Sequence, residues 1–165
     1  MRHFEKTFRT TAEPILFAAA MRDPKHIIRQ EYARNAVKCS VSDIEKSDDH
    51  HIYEVHSVGF ARTAAGVDKS RTEKTIVVIH WDLASFEARW RAVTEHGRNV
   101  TIRGSYAVDA ADSGSSVTLS VNIDIRMPLI GPMAEKIVEQ EFRTQWPKYI
   151  RATDGHALFL SKDVL

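Results

Sequence analysis

Eight histidines are the first residues of this 165-residue chain that suggest chemistry, because imidazole is the commonest metal ligand in proteins. Glu54 and His56 have the even spacing that places two side chains on the same face of a strand. That face carries mostly polar residues, however, and the sequence contains no HExxH helix or repeated carboxylate-histidine pair. The pattern therefore favours surface histidines, including His50-His51 and His80, and we expect neither a metal nor another cofactor.

The segment His80-Trp81-Asp82 combines a general base with a nearby carboxylate. Adjacent strand residues point to opposite faces of a sheet, which disfavours a dyad between His80 and its neighbours. If His80 continued the face of Ile76 and Val78 into a cavity, it would be the best candidate for proton transfer. A structural or rim role is the favoured interpretation, and Tyr106 is the other catalytic candidate.

Cys39 is the only cysteine, which excludes an internal disulfide and any multi-cysteine zinc or iron-sulfur framework. This usage suits a reducing cytosol. Its position between Val37 and Val41 on one strand face favours a small buried hydrophobe over a nucleophile. The sequence also lacks a Gly-x-Ser-x-Gly elbow, a Walker loop and a dinucleotide fingerprint.

The hydrophobic periodicity predicts a short strand, a pair of short helices and then a long series of strands. Alternation from Arg2 to Thr10 predicts the first strand. Thr11-Ala12-Glu13-Pro14 predicts the start of one helix, and Asp23-Pro24 predicts its end and the start of a second. From Ala36 to Asp124 the period is two, which predicts an antiparallel sheet with one apolar face.

One segment of that region fits two periods. Phe86, Ala88, Trp90 and Ala92 alternate with charged residues, but Phe86, Arg89, Trp90 and Val93 also have helical spacing. We favour the strand. The clearest strands cover 100–108 and 117–125, and residues 109–116 supply the Asp, Ser and Gly expected of a hairpin loop.

A long helix is predicted to begin near Gly131-Pro132 and to cover the apolar face of the sheet. Pro147 is expected to kink it or to end its first segment. Gly155 is expected to mark its close, leaving Ala157-Leu158-Phe159-Leu160 as a tail that docks or frays.

This order of elements resembles the START-like superfamily, also called SRPBCC, Bet v 1-like or helix-grip. The residues that carry the resemblance are Glu13-Pro14-Ile15-Leu16-Phe17, Asp23-Pro24 and the junction at 124–135. More narrowly, the chain from Arg2 to Leu158 looks like the bacterial branch known as domain of unknown function 2505. The resemblance implies an α+β fold in which two short helices follow strand 1 and a long C-terminal helix grips the concave face of a curved antiparallel sheet of about seven strands.

The superfamily resemblance also implies a cavity between the long helix and the sheet, usually occupied by a lipid, sterol, polyketide or other apolar molecule. The residues alone agree, because one straight helix cannot contact a curved sheet everywhere. Gly59 and Gly104 are expected to enlarge this space. The side chains predicted to bind the ligand are Ser57, Trp90, Ile102, Tyr106, Val121, Ile123, Val138, Phe142 and Trp146.

The composition limits the binding partners and the cellular location that we expect for the protein. Lys and Arg total 23 against 22 for Asp and Glu, and no block of like charge occurs, so a nucleic-acid partner is not expected. Arg126 with Asp124, and also Arg103, are interpreted as surface ion pairs. No apolar run is long enough to span a membrane and the N-terminus has no signal-like segment, so we expect one cytoplasmic domain over residues 1–165, as a monomer or homodimer.

These observations favour a protein that binds or carries a hydrophobic small molecule. The alternative is a cyclase-, dehydratase- or hydrolase-like enzyme that uses His80, Tyr106 or both in the same cavity. A third possibility is an interaction module with a closed cavity, for which the apolar tail Leu158-Phe159-Leu160 is the only hint.

Overall fold

Seven antiparallel strands form one sheet in this computed structural model, which describes residues 1–63 and 65–163. The order across the sheet is β1-β7-β6-β5-β4-β3-β2. Consecutive strands from β2 to β7 are therefore neighbours, and β1 pairs with β7. The strands are β1 (Arg2–Thr10), β2 (Ala36–Lys46), β3 (His50–Thr63), β4 (Gly66–Asp82), β5 (Glu87–Thr94), β6 (Val100–Ala110) and β7 (Ser115–Ile125).

In the described residues, three α-helices accompany the sheet: α1 (Pro14–Arg22), α2 (Pro24–Ala33) and α3 (Gly131–Asp163). A proline opens each of the first two, where its missing N–H costs no hydrogen bond. The Asp23 carboxylate caps α2 by accepting a 3.1 Å hydrogen bond from the backbone N–H of Lys25. The α+β architecture, the paired short helices and the strand at β5 are all confirmed.

The core lies between the inner face of the sheet and the helices. Strict alternation along β7 buries every second side chain, so that Val117, Leu119, Val121 and Ile123 are fully enclosed. Burying side chains of this size typically contributes about 1.5–3 kcal/mol each. Helix α3 packs against this strand and β1, and α1 packs against α3 and β6.

Helix α3 is longer than the sequence predicts. It continues through Pro147 and Gly155 to Asp163, so the expected end at Gly155 and the separate tail are wrong. Trp146, Ile150 and Ala157 are all buried on one side of it, and tertiary packing of that side outweighs the helix-breaking tendency of the two residues. None of the helices in the described ranges has the length and apolar content that crossing a bilayer requires.

Candidate functional site

The candidate site is the inner face of the sheet opposite α3, where several side chains are only half-buried. Helix α3 makes its main sheet contacts with β1 and β7, while α1 contacts β6 and α2 contacts β2. Several inner-face residues of β2 to β6 remain half-buried. A 3.0 Å ion pair between the Arg62 guanidinium and the Glu141 carboxylate joins the end of β3 to α3. We call the space between α3 and the inner face of β2 to β6 the cleft.

An apolar row crosses the sheet wall of the cleft. The register places one residue of each strand from β2 to β6 side by side, and only the β3 member, Val55, is buried. The other four are half-buried, so they present apolar surface to the cleft. In order across the sheet the row is Val41, Val55, Val77, Ala92 and Ile102.

A second row, two residues further along each strand, is polar. Cys39, Ser57, Thr75 and Thr94 lie side by side and are all half-buried. Three of them carry hydroxyl groups, which can donate and accept hydrogen bonds. The inner face of the sheet therefore changes from apolar to polar between these two adjacent rows of residues.

Four aromatic residues predicted at the site form a continuous series of ring contacts. Trp90 lies 6.1 Å from Tyr106 and 6.0 Å from Phe142, measured between ring centroids. Phe142 lies 5.5 Å from Trp146. These distances are in the range of favourable tilted aromatic pairs, and they connect β5 and β6 to the middle of α3.

The nine residues predicted to bind the ligand divide into two groups. Trp90, Val121, Ile123 and Trp146 are at most 6% exposed and belong to the packed core. The other five keep part of their surface accessible, and these are Ser57, Ile102, Tyr106, Val138 and Phe142. Fewer residues than the sequence predicts are therefore accessible to a ligand in the cleft.

Gly104 does not enlarge the cleft, contrary to expectation. The register places it opposite Trp90, whose indole ring occupies the space above it. A Cβ at residue 104 would come within 2.5 Å of Cζ2 of Trp90 and would overlap the carbonyl oxygen of Ser120. At Gly59, by contrast, a Cβ would meet open space.

The indole N–H of Trp90 is buried and finds no acceptor among the described residues. A buried donor without a partner typically costs about 1–3 kcal/mol. Trp81, deeper in the core, avoids this cost because its indole N–H donates to the Tyr53 hydroxyl at 3.2 Å. Trp90 is therefore an unsatisfied donor in the floor of the cleft.

The tyrosines near the cleft stay protonated at neutral pH. Burial raises the pKa of Tyr106 well above its ordinary value, and burial raises the pKa of Tyr149 to about 12. A protonated phenol offers a hydrogen bond but is a poor general base at neutral pH. Tyr106 is thus better suited to binding than to proton abstraction.

His80 does not enter the cleft. It is exposed on the outer face, where its Nε2 lies 3.2 Å from Nδ1 of His50. Its neighbour Trp81, one residue on, takes the inner position and is fully buried. The arrangement in which His80 and Tyr106 share one cavity is therefore wrong, because the two side chains lie on opposite faces of the sheet.

Two histidines are buried rather than exposed. His51 is 3% exposed, and its ring nitrogens contact the Asp43 carboxylate at 2.8 Å and the Arg22 guanidinium at 3.1 Å. The surface interpretation of His51 is therefore wrong. His26, which the sequence pattern did not single out, is 1% exposed and stacks on His156 with 4.7 Å between ring centroids.

Cys39 shows no sign of activation as a nucleophile. Burial raises its pKa to about 11, which keeps the thiol protonated at neutral pH. Across the described ranges, no three His, Cys, Asp or Glu side chains converge in a way that could hold a metal ion.

The burial of His26 gives the protein a pH-dependent stability. Nε2 of His26 contacts the Thr153 hydroxyl, which itself donates to the Tyr149 carbonyl, so Nε2 carries the proton and Nδ1 is left without a partner. Burial, followed by the nearby His156 and Arg29, lowers the pKa of His26 to about 4.

The folded pKa of His26 lies below the ordinary 6.5, so the unfolded chain binds more protons than the folded chain between these two values. The free energy of unfolding therefore decreases as the pH is lowered from about 6.5 to about 4. We expect His26→Gln to remove on the order of 2 kcal/mol of this pH dependence. Urea unfolding at several pH values measures it, and exposed His96→Gln is the control. Equal slopes in the wild type and His26→Gln would refute the assignment.

The family model described as "Protein of unknown function (DUF2505)" matches residues 7–154. The chain belongs to this family. A search of curated proteins gives no significant sequence match.

Solved structures share the fold at low sequence identity. TTHA0849 from Thermus thermophilus has a TM-score of 0.67 at 12% identity, over 97% of this chain and 99% of that one. The Zhui aromatase/cyclase from Streptomyces sp. R1128 has a TM-score of 0.64 at 16% identity, over 94% and 93%. A START superfamily protein from Mycobacterium smegmatis has 0.57 at 10% identity, over 96% and 98%. The DUF2505 chain thus shares the fold of these structures, and the predicted helix-grip fold is confirmed.

Proposed function

We propose that this DUF2505 protein binds an apolar small molecule with one polar end in the cleft between α3 and the sheet. The observation that carries the proposal is the apolar row on the inner face, in which four of the five members are only half-buried. Apolar surface is worth about 25 cal/mol per Å² when it is removed from water, so this row favours an apolar occupant.

The helix supplies the facing wall for such a molecule. Val138 and Phe142 are half-buried on the side of α3 that packs against the core. Together with Val77, Ala92 and Ile102 they would enclose an apolar body from two sides. Small-molecule sites are commonly of this kind, mostly apolar with a few placed polar groups.

The polar row supplies the polar groups that such a site needs. Ser57 and Thr75 lie side by side beyond the apolar row, and Thr94 continues the row while its hydroxyl accepts a 3.3 Å hydrogen bond from the His96 N–H. The polar end of the ligand would lie here. A second acceptor on the ligand, if it reached the floor of the cleft, would satisfy the Trp90 indole N–H.

The structural neighbours lend general support. One is named as an aromatase/cyclase and another as a START superfamily protein, and both share the fold across nearly the whole chain. The cyclase-, dehydratase- or hydrolase-like alternative was tied to His80 together with Tyr106, and the outer position of His80 removes that pairing.

The polar end of the site can be tested with a matched pair of neutral dyes. Prodan is a naphthyl ketone, and dimethylaminonaphthalene is the same ring system without the ketone. We expect Ser57→Ala/Thr75→Val to weaken prodan binding by about three- to tenfold, since a lost hydrogen bond costs about 0.5–1.5 kcal/mol. The affinity for the dye without the ketone should change less than about twofold.

Fluorescence titration measures both affinities. The control is Ser40→Ala/Thr101→Val, which makes the same chemical changes at exposed positions on the outer face. Equal loss for the two dyes would mean that the hydroxyl groups do not contact the ketone.

A further inference from the structure

A second depression lies on the outer face of the same sheet, across from the cleft. It is open to solvent, has a volume of about 450 Å³, and is shaped by β4 to β7. Its outward-facing side chains include three arginines, a histidine, two serines and an asparagine. These polar residues are His80, Arg89, Arg91, Arg103, Ser105, Ser120 and Asn122, and the apolar Val78 lines the same depression.

The arrangement of the three arginines places like charges close together, which is unfavourable for the sheet when no anion is bound. Arg91 and Arg103 are direct cross-strand partners, and Arg89 lies two residues from Arg91 on the same face. Like charges placed directly opposite each other destabilise a sheet. An anion between the guanidinium groups would turn this repulsion into attraction.

These guanidinium groups have no carboxylate partner within 4.0 Å among the described residues, so the ion pair expected for Arg103 is wrong. Ion pairs are formed instead by Arg2, Arg34, Arg62, Arg71, Arg126 and Arg143.

Among the described residues, no carboxylate forms an ion pair with the arginines of the depression. Glu54 and Asp124 extend the same outer face, but Glu54 contacts His56 at 2.7 Å and Asp124 contacts Arg126 at 2.9 Å. Glu87 lies two residues before Arg89 on this face, with Asp82 opposite it, at the edge of the depression. Glu5 faces outward from β1, opposite Ser120. Within the part of the chain that the structure describes, no carboxylate lines the depression itself.

Neutral donors complete the lining. The hydroxyl groups of Ser105 and Ser120 are side by side between β6 and β7, and Asn122 lies opposite Arg103. Asn122 is held by a 3.0 Å contact between its Oδ1 and Nδ1 of His3, which leaves its amide N–H₂ free to donate.

We propose that this outer depression binds the phosphoryl group of a phosphorylated small molecule. Guanidinium groups bind phosphate oxygens through paired hydrogen bonds, and hydroxyl and amide donors complement them. Three guanidinium groups with adjacent neutral donors offer more hydrogen bonds than the two oxygens of one carboxylate can accept. The site is separate from the cleft, since its side chains lie on the opposite face of the sheet.

Inorganic pyrophosphate is the probe for this site. We expect isothermal titration calorimetry in a phosphate-free buffer of low ionic strength to give saturable binding that weakens as salt is added. Arg91→Gln/Arg103→Gln should weaken that binding by about tenfold or more, because two charge-assisted contacts are lost. The thermal midpoint of this double variant without pyrophosphate reports whether it folds.

The matched control is Arg9→Gln/Arg98→Gln, which removes the same charge from exposed arginines outside the depression. Its affinity for pyrophosphate should remain within about twofold of the wild type. Equal weakening in both double variants, or no saturable binding to the wild type, would overturn the proposal. Binding to phosphatidic-acid vesicles without binding to pyrophosphate would assign the arginines to a membrane surface and would also overturn it.

Discussion

Gly104→Ala is expected to lower the free energy of unfolding by about 3 kcal/mol or more. The new methyl group would overlap the Ser120 carbonyl oxygen of the neighbouring strand and would contact the indole ring of Trp90. Neither neighbour can withdraw easily, because Ser120 belongs to the best-buried strand and Trp90 is only 6% exposed. Urea unfolding followed by circular dichroism measures the change.

Gly59→Ala is the matched control for this substitution. Gly59 also lies on the inner face of a strand, but a Cβ there would meet nothing within 4 Å. Alanine is also less flexible than glycine in the unfolded chain, so Gly59→Ala should be neutral or slightly stabilising. A Gly104→Ala protein as stable as the wild type would show that Trp90 is not packed on Gly104 as described.

Ala92→Trp is expected to weaken the binding of prodan by about tenfold or more. Ala92 is half-buried in the middle of the apolar row, between Val77 and Ile102. An indole ring at this position would fill the cleft with the protein's own side chain while leaving the core residues behind it in place. Fluorescence titration gives the affinity, and thermal unfolding shows that the variant is folded.

Ala84→Trp adds the same ring in the exposed connection between β4 and β5. Binding by this control should match the wild type within about twofold, because the position lies outside the cleft. If both variants bound prodan as the wild type does, the dye would not occupy the cleft.

The fold could be predicted largely from two kinds of local signal. Strict alternation identified β6 and β7, and prolines beside acidic residues identified the starts of α1 and α2. The end of α3 could not be predicted, because Gly155 is a common stop signal. Here the helix persists because Ala157 is buried and because His156 contacts the Asp23 carboxylate at 2.7 Å.

The candidate site was predicted less completely, since much of it depends on strand register. The run from Ile76 to Ile79 is apolar on both sides, so its period does not reveal which face His80 joins. The side-by-side placement of Ser57 and Thr75 and the packing of Trp90 on Gly104 arise between strands. Neither of these two features can be recognised from a single segment of the sequence.

The outer arginines illustrate the same limit. Arg91 and Arg103 are separated along the chain and become neighbours only when β5 pairs with β6. Each alone looks like an ordinary solvated residue on the polar side of a strand. Their joint effect becomes visible only in the assembled sheet.

Titration of the wild-type protein with prodan, after removal of any bound apolar molecule by solvent extraction and refolding, tests the central claim most directly. The cleft predicts saturable binding of one dye per chain, with a blue shift in emission as the dye leaves water. Solvent extraction of the purified protein should also release an apolar molecule with a polar end. A refolded protein that gives no saturable blue shift would contradict the account.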